Sequence, residues 1–332
     1  MPDRPALPVY LRITGLLFVL AGLVMWLLWA RYQQFLHSPL DIPFGGQVFV
    51  LEPGSGGSDI VRELAKKGLT RSGWEWKLLM RLEPHVYRSG EYHLAAGLLP
   101  REVLERLASG QVIQYRLTLV EGWTFAQVVS SLNRNTHLEH RFELSDPERW
   151  PDLLSALDIE HPEGWFLPET YQFTRGDSDL DILMRAHKSM RHELDRAWAA
   201  RTPDLPLKSP YELLILASIV EKETALDAER GEIAGVFTRR LKKGMRLQTD
   251  PTVIYGLGSG FDGDIRRRDL RTDTPYNTYT RHGLPPTPIA MPGRASLQAA
   301  AQPADQPAEE IEVLCGGSFR YPLEKLVEQF EK

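Results

Sequence analysis

Hydrophobic positions change their spacing several times along the 332-residue chain, and the longest unbroken apolar run lies near the N-terminus. Residues 13–30 carry no charged side chain and would form an α-helix about 27 Å long, at about 1.5 Å per residue. The hydrocarbon core of a bilayer is roughly 30 Å thick. The run therefore predicts a transmembrane helix over residues 13–30.

The residues flanking this run predict its orientation. Arg4 and Arg12 precede it and Arg31 follows it, and a long domain after a single span is usually translocated. We therefore expect residues 1–12 in the cytoplasm and the rest of the chain in the periplasm, joined to an inner-membrane span by a polar tether over residues 31–47. A cleaved signal peptide is the alternative, but the run is longer than a usual signal sequence and no small-x-small cleavage pattern follows it.

Strand spacing and helix spacing alternate from residue 48 to residue 135. Strands are predicted near residues 48–51, 87–92 and 111–120, and helices near residues 58–67, 75–82, 100–107 and 125–132. A strand, a turn with Pro-Gly or Glu-Gly and an amphipathic helix follow one another at Glu52 and again at Glu121. This order resembles LysM-type units, small modules that bind N-acetylglucosamine polymers. A generic α+β packing unit without a ligand would give the same pattern.

Aromatic and turn residues are concentrated between residues 161 and 173. In one interpretation the segment is a structural corner whose large rings enter a core: Trp165, Phe166, Tyr171 and Phe173. In the other it is the wall of a sugar-binding cleft, because aromatic rings stack on the apolar faces of sugars. We favour the structural corner for most of these rings, and keep Glu163 and Glu169 as candidate cleft carboxylates.

A buried helix is predicted from residue 210 onwards. Ser209 and Glu212 have the spacing of a capping box, with proline at the first helical position. Residues 213–220 are apolar on every side of the helix, which indicates burial. The helix then continues into Glu221-Lys-Glu-Thr without a break signal, although an unpaired buried carboxylate is costly or becomes protonated.

Spacing distinguishes the two glutamates at the end of this helix. Glu221 shares a helical face with small residues such as Ala217 and Ser218, which leaves room for a ligand, whereas Glu223 lies over bulkier neighbours. A carboxyl held against an apolar helix has a raised pKa and can serve as a general acid. Glu221 is therefore the candidate acid, and a solvated surface turn is the alternative interpretation.

After a further helix from about residue 228 to residue 243, three proline-containing loops follow at residues 246–256, 274–279 and 283–293. They bear amide, hydroxyl and phenol groups suited to a neutral, hydroxyl-rich polymer. The predicted substrate-binding residues are Glu223, Gln248, Thr249, Asp250, Tyr255, Tyr276, Asn277 and Tyr279.

Composition and motif content argue against several other classes of function. Lys and Arg number 39 against 44 Asp and Glu, so the net charge of −5 does not indicate a nucleic-acid-binding surface. The single cysteine, Cys315, cannot form an intramolecular disulfide or a cysteine-based zinc site. No His-Glu-x-x-His motif occurs, which argues against a metalloprotease of that kind.

Five ordered motifs together resemble the endolytic murein transglycosylases of the MltG (YceG-like) family. They are ASIVEKET at 217–224, RLQTDPTVIYG at 246–256, YNTY at 276–279, GLPP at 283–286 and PG at 292–293. The resemblance covers roughly residues 45–305 together with the N-terminal span. It implies an α+β protein with a LysM-like subdomain over residues 48–135 and a catalytic domain over residues 136–308. Its buried helix would carry the catalytic glutamate, which falls on Glu221.

The resemblance also implies a reaction. It is the non-hydrolytic cleavage of the bond between N-acetylmuramic acid and N-acetylglucosamine in nascent strands, which leaves a 1,6-anhydro end and terminates elongation. No metal or organic cofactor takes part, and peptidoglycan synthases are candidate partners.

Residues 309–332 depart from the family pattern, which continues there with a Tyr-Phe-Val strand, a glycine turn and a final helix. Two other functions stay open, and the divergent tail favours the second of them. A muramidase-type hydrolase would use a second carboxylate, for which Asp250 is the candidate. A non-catalytic, membrane-tethered peptidoglycan-binding protein would need no acid at all.

Overall fold

A computed structural model describes residues 9–141 and 150–304 of the chain. The divergent tail over residues 309–332 and the first eight residues of the predicted cytoplasmic segment lie outside the described residues. The described chain is mixed α+β, as the sequence predicted, and it divides into two compact units, Met1–Gln114 and Tyr115–Lys332.

The N-terminal helix α1, Val9–His37, is longer than the predicted span. Its section Ile13–His37 is long and apolar enough to cross a membrane, by length and composition alone. Large apolar side chains between Ile13 and Trp29 are exposed along this section.

The predicted tether over residues 31–47 is wrong, because much of this segment belongs to the core of the first unit. Helix α1 continues through residue 37 and ends only before Pro39, where proline disfavours helix in the preceding residue. Four side chains of the segment are buried in that core: Tyr32, Leu36, Leu40 and Ile42. Arg31 also forms an ion pair with Glu75, with Nε 2.7 Å from Oε1.

The remainder of the first unit is a two-stranded sheet with three helices. The elements are β1 Gln47–Leu51, α2 Gly57–Lys66, α3 Trp74–Leu82, β2 Gly90–Leu94 and α4 Pro100–Ser109. β1 and β2 are antiparallel, with Phe49 opposite Tyr92, and both rings are fully buried. Helix α4 ends at Gly110, whose left-handed conformation (φ 71°) glycine adopts at little cost.

The second unit contains a second two-stranded sheet and eight helices among the described residues. Its elements are β3 Tyr115–Thr118, α5 Phe125–Asn133, α6 Trp150–Leu157, β4 Thr170–Phe173, α7 Asp179–Ala199, α8 Pro210–Glu223, α9 Asp227–Lys242, α10 Asp250–Leu257, α11 Arg267–Arg271 and α12 Arg294–Ala301. Strands β3 and β4 are antiparallel. This pairing explains why the units divide before Tyr115, earlier than the boundary expected at residue 135.

Helix α8 lies at the centre of the second unit. Residues 213–220 are all buried, which confirms the predicted burial, and they pack in one cluster with side chains of α7, α9 and α12. The predicted N-cap is also present: the Glu212 amide donates to Ser209 Oγ over 3.3 Å. The apolar middle of α8 thus fixes the helix, and its charged end projects from a rigid core.

The aromatic segment at residues 161–173 is mostly a structural corner. Phe166, Tyr171 and Phe173 are buried, and Tyr171 and Phe173 belong to β4. Trp165 remains half-buried. The favoured interpretation therefore holds for three of the four rings.

Two glycines with positive φ give a test of this packing. Gly164 has φ 84°, and a methyl group there would lie 2.6 Å from the rigid Pro288 ring, whereas Gly244 has φ 65° and open space around it. Gly244→Ala should lower the free energy of unfolding by about 1–2 kcal/mol, from backbone conformation alone. Gly164→Ala should lower it by about 2–5 kcal/mol, because overpacking is added. Thermal or urea unfolding of both variants measures the difference, and equal losses would contradict the packing at Pro288.

Candidate active site

The charged end of α8 meets the first residues of two other helices. Glu221 hydrogen-bonds the start of α12, and Glu223 hydrogen-bonds the residue that precedes α10. Helix N-termini present backbone N–H groups without intrahelical partners and favour nearby negative charge. Two glutamates two positions apart are thus held by two different helices.

The Glu221 side chain is 5% exposed, and both of its oxygens have partners. Oε2 accepts from the Gly293 amide over 2.9 Å and from Ser296 Oγ over 2.8 Å. Oε1 lies 3.4 Å from Arg230 Nη2. These are the partners of a structural carboxylate at a helix N-terminus, and they occupy the carboxyl group of Glu221 on both sides.

Arg230, on α9, completes this network. Its side chain is 6% exposed, its Nε donates to Ser296 Oγ over 3.1 Å, and its guanidinium also pairs with Asp227. A buried ion pair needs such additional hydrogen bonds to offset the desolvation of both charges. The network joins α8, α9 and α12 at one point.

Glu223 has a different environment. Its Oε1 accepts a hydrogen bond from the Thr249 hydroxyl. Burial raises the pKa of Glu223 to about 7; the Thr249 hydrogen bond acts in the opposite direction, and the charge of Asp250 adds to the increase. Glu223 is therefore a carboxyl that carries a proton in a substantial fraction of molecules near neutral pH.

Asp250 begins α10 directly after Thr249. Its Oδ1 accepts from the Tyr279 hydroxyl over 2.6 Å, so the loop at residues 276–279 is attached to the start of α10. The Thr249 amide donates to Thr278 Oγ1 over 3.1 Å and strengthens this attachment. Three of the predicted substrate-binding residues, Thr249, Asp250 and Tyr279, thus lie together near Glu223.

Two other predicted substrate-binding residues bind the protein itself. Asn277 is fully buried; its Nδ2 donates to backbone carbonyls of residues 269, 270 and 272, and its Oδ1 accepts from the Tyr279 amide over 2.9 Å. Gln248 is exposed with φ 52°, and its Oε1 accepts from Arg240 Nη1 over 3.2 Å. In this geometry Asn277 fixes the conformation of its loop.

Glu163 is buried against Tyr255 of α10. Its Oε2 accepts from the Tyr255 hydroxyl over 3.0 Å and its Oε1 from the Phe125 amide over 2.9 Å. Burial raises the pKa of Glu163 to about 7, against the effect of these hydrogen bonds. The Tyr255 ring in turn meets the Tyr276 ring edge-on, with centroids 4.9 Å apart. By contrast, Glu169 is exposed and pairs with Arg294 over 3.1 Å.

The turn at residues 121–123 lies against the start of α12 and was predicted only as a turn. The Gly122 amide donates to the Met291 carbonyl over 2.9 Å, and the Met291 amide donates to the Trp123 carbonyl over 2.7 Å. Lys222 Nζ lies 3.4 Å from the Gly122 carbonyl. The Glu121 carboxylate lies where a side chain on Gly293 would extend.

The residues that sequence reasoning missed are the partners of Glu221. Arg230 and Ser296 occupy helical positions that carry no motif, and they meet Glu221 only through packing of α8, α9 and α12. An arginine on the buried side of α9 was the available signal, because a buried guanidinium needs an acidic partner. Within residues 9–141 and 150–304, no three His, Cys, Asp or Glu side chains cluster as metal ligands.

A buried central helix that ends in two glutamates, bonded to the starts of α10 and α12, defines the site, and comparison with known proteins identifies the family. The model of the YceG-like family matches residues 49–308, so the chain belongs to the YceG-like family, as the motifs predicted. An endolytic murein transglycosylase of Bacillus subtilis is 33% identical over 233 residues, which are 65% of this chain and 64% of that protein.

Two further matches extend the comparison. An endolytic murein transglycosylase of Streptococcus pneumoniae is 26% identical over 305 residues, 81% of this chain and 55% of that protein. The chain therefore spans less than two thirds of the length of these curated relatives. A solved YceG-like protein from Listeria monocytogenes is 28% identical, with a TM-score of 0.49 over 78% of this chain and 91% of that one.

The raised pKa of Glu163 predicts a pH dependence of stability. A carboxyl with a folded pKa near 7 keeps its proton in the folded chain, while the unfolded chain releases it above about pH 4.5. The free energy of unfolding should therefore fall as pH rises from about 4.5 to 7, by about 1–3 kcal/mol for this group. Glu163→Gln should remove that part of the slope in urea unfolding measured at pH 5 and pH 8. The exposed Glu232→Gln is the control, and an unchanged slope in Glu163→Gln would contradict the expected titration.

Proposed function

We propose that this protein is a membrane-anchored lytic transglycosylase that cleaves peptidoglycan glycan strands within the chain. The observation that carries the proposal is the pair of glutamates at the end of α8, one fully engaged by the protein and one with a pKa near 7. Membership of the YceG-like family and relatives named endolytic murein transglycosylase support the same activity.

The geometry favours Glu223 as the acid/base, although the family resemblance pointed to Glu221. A general acid near neutral pH needs a pKa close to 7 and a carboxyl oxygen that can reach the substrate. Glu223 meets the first condition, and the Thr249 hydroxyl contacts only one of its oxygens. Glu221 already accepts from Gly293 and Ser296 and pairs with Arg230, so in this proposal it positions the end of α8.

The reaction needs one carboxyl group. Protonated Glu223 donates its proton to the glycosidic oxygen, and the bond between that oxygen and the anomeric carbon of N-acetylmuramic acid breaks. The muramyl 6-hydroxyl then bonds to the anomeric carbon and gives its proton to the Glu223 carboxylate. The strand ends in a 1,6-anhydro sugar, the acid is regenerated, and no water is consumed.

The first unit is proposed to bind glycan as a LysM-like module. Its order of strand, two helices and antiparallel strand, β1-α2-α3-β2, supports this assignment, since the two strands pair directly and the helices follow one another between them. Binding by this unit would keep a long strand attached to the chain, and peptidoglycan synthases are proposed as partners that supply new strands.

Paired substitutions at the two glutamates test the catalytic assignment. Glu223→Gln removes the titratable proton and should lower turnover of murein sacculi by about 10²- to 10⁴-fold, while sacculus binding persists. Deletion of residues 47–94 in that variant should weaken the binding. Glu221→Gln should mainly lower stability, because it weakens a buried ion pair. Product masses distinguish the two reactions, because a product with a 1,6-anhydro end is lighter by one water molecule than the corresponding hydrolysis product.

Three results would change the proposal. A dead but stable Glu221→Gln together with an active Glu223→Gln would return the catalytic role to Glu221. Reducing ends would instead indicate a hydrolase, in which Asp250→Asn should be as damaging as Glu223→Gln. Sacculus binding without any product from the wild-type chain would indicate a tethered binding protein.

Helix α1 is proposed to cross the inner membrane once, with the rest of the first unit and the whole second unit in the periplasm. The support is the length and apolar character of Ile13–His37. A reporter that is active only in the periplasm, fused after residue 304, should therefore be active, and the chain should remain in the membrane fraction at its full mass. Activity of a cytoplasm-only reporter at the same position would contradict this topology, and a shortened, soluble product would indicate a cleaved signal peptide.

A further inference from the structure

Four aromatic rings packed against the α8 core form two pairs, here called the aromatic strip: Trp165, Tyr211, Tyr255 and Tyr276. Trp165 and Tyr211 are stacked, with centroids 5.8 Å apart and planes at 15°. Tyr255 and Tyr276 meet edge-on at 4.9 Å. Trp165 follows Glu163 by two positions, and the Glu163 carboxyl accepts from the Tyr255 hydroxyl over 3.0 Å, so residues 163–165 connect the two pairs.

The rings of the strip differ from the core rings around them. Phe166 and Phe173 are at most 1% exposed, whereas all four strip rings are half-buried and pack against the outside of the α8 core. The polar edges of the first pair are also open. Within the described part of the chain neither Trp165 Nε1 nor Tyr211 Oη has a hydrogen-bond partner, and neither atom is buried without one. An aromatic face with an unused donor at its edge suits a ligand with both C–H and hydroxyl groups.

Hydrogen bonds hold the second pair, Tyr255 and Tyr276, in place. The buried carboxyl of Glu163 accepts from the Tyr255 hydroxyl over 3.0 Å, and the Tyr276 hydroxyl lies 2.9 Å from Thr287 Oγ1. These bonds fix the orientation of both phenol rings. The strip is therefore a fixed surface in the absence of ligand, which lowers the entropic cost of binding.

The strip begins close to Glu223 and leads away from it. Thr249, which donates to Glu223, precedes α10, and Tyr255 follows six residues later, about 9 Å along the helix. Tyr276 adjoins Tyr255. Tyr211 lies on the first turn of α8, about 18 Å along that helix from Glu223, and Trp165 stacks on Tyr211. A polymer bound with one bond at Glu223 would thus reach the stacked pair only several units away.

We propose that the aromatic strip binds sugar rings of a glycan strand at a distance from the cleaved bond, so that the site selects long strands over short ones. The inference rests on the proposed function. The four side chains of the strip are uncharged, which matches a neutral sugar chain with apolar ring faces and hydroxyl or acetamido edges. A short oligosaccharide would occupy the site at Glu223 without reaching Tyr211.

Binding and cleavage assays with uncrosslinked glycan strands of two defined lengths test this inference. The ratio of long-strand to short-strand affinity should fall roughly 2- to 10-fold in Tyr211→Ala, the size expected for one aromatic contact. Tyr211→Phe keeps the ring and should preserve most of the ratio. Trp165→Leu should resemble Tyr211→Ala. The control is Trp198→Ala, a half-buried ring against the same core that is covered by the Arg201 guanidinium.

The outcomes separate this inference from the proposed function. Affinities are measured in the inactive Glu223→Gln background, and KM and kcat in the otherwise wild-type chain. If the ratio of long-strand to short-strand affinity is unchanged in Tyr211→Ala, the proposed role of the aromatic strip is wrong, even if the chain cleaves murein. An equal loss for long and short strands, or the same change in Trp198→Ala, would also overturn it by indicating general damage. If the chain binds glycan strands but does not cleave them, the catalytic proposal fails. A fall in the affinity ratio in Tyr211→Ala would then still support strand binding by the aromatic strip.

Discussion

The site depends on the buried ion pair between Glu221 and Arg230. Both side chains are almost excluded from solvent. Ser296 bonds both of them, the Gly293 amide donates to Glu221, and Asp227 pairs with Arg230. Removing one partner of such a pair typically costs about 3–5 kcal/mol, because a charge is left buried and unpaired. The pair therefore fixes three helices, α8, α9 and α12, against one another, and the last turn of α8 can hold Glu223 in one place.

Glu221 and Glu223 lie on one helical turn but have different environments. Glu221 is surrounded by donors and a cation, while Glu223 has one hydroxyl partner and a nearby negative charge. Pairs of carboxyls with divergent environments commonly divide the tasks of charge and proton transfer. The neighbouring Glu163 shows a third arrangement, in which a buried carboxyl orients the phenol ring of Tyr255.

Local signals predicted the scaffold well. Proline and the capping spacing at Ser209 marked the start of α8, and its uniformly apolar middle predicted burial, because these features act within one helix. Contacts between segments that are far apart in the sequence could not be predicted from such local signals. Spacing along α8 favoured Glu221 as the residue with room for a ligand, but that space is filled by Arg230 and by the start of α12, which no local pattern reveals. Asn277 was expected to bind substrate on residue type alone, yet its amide is used by its own loop.

The continuity of helix α1 with the first unit limits where the protein can act. Tyr32 and Leu36, on the last turns of α1, are already core residues of that unit, so no slack linker separates the proposed span from the folded part. With α1 in the bilayer, the first unit stands within about one helical turn, roughly 5 Å, of the lipid surface. In the proposed arrangement the distance of this unit from the lipid surface is therefore set by the helix itself, and a glycan that it bound would lie close to the membrane.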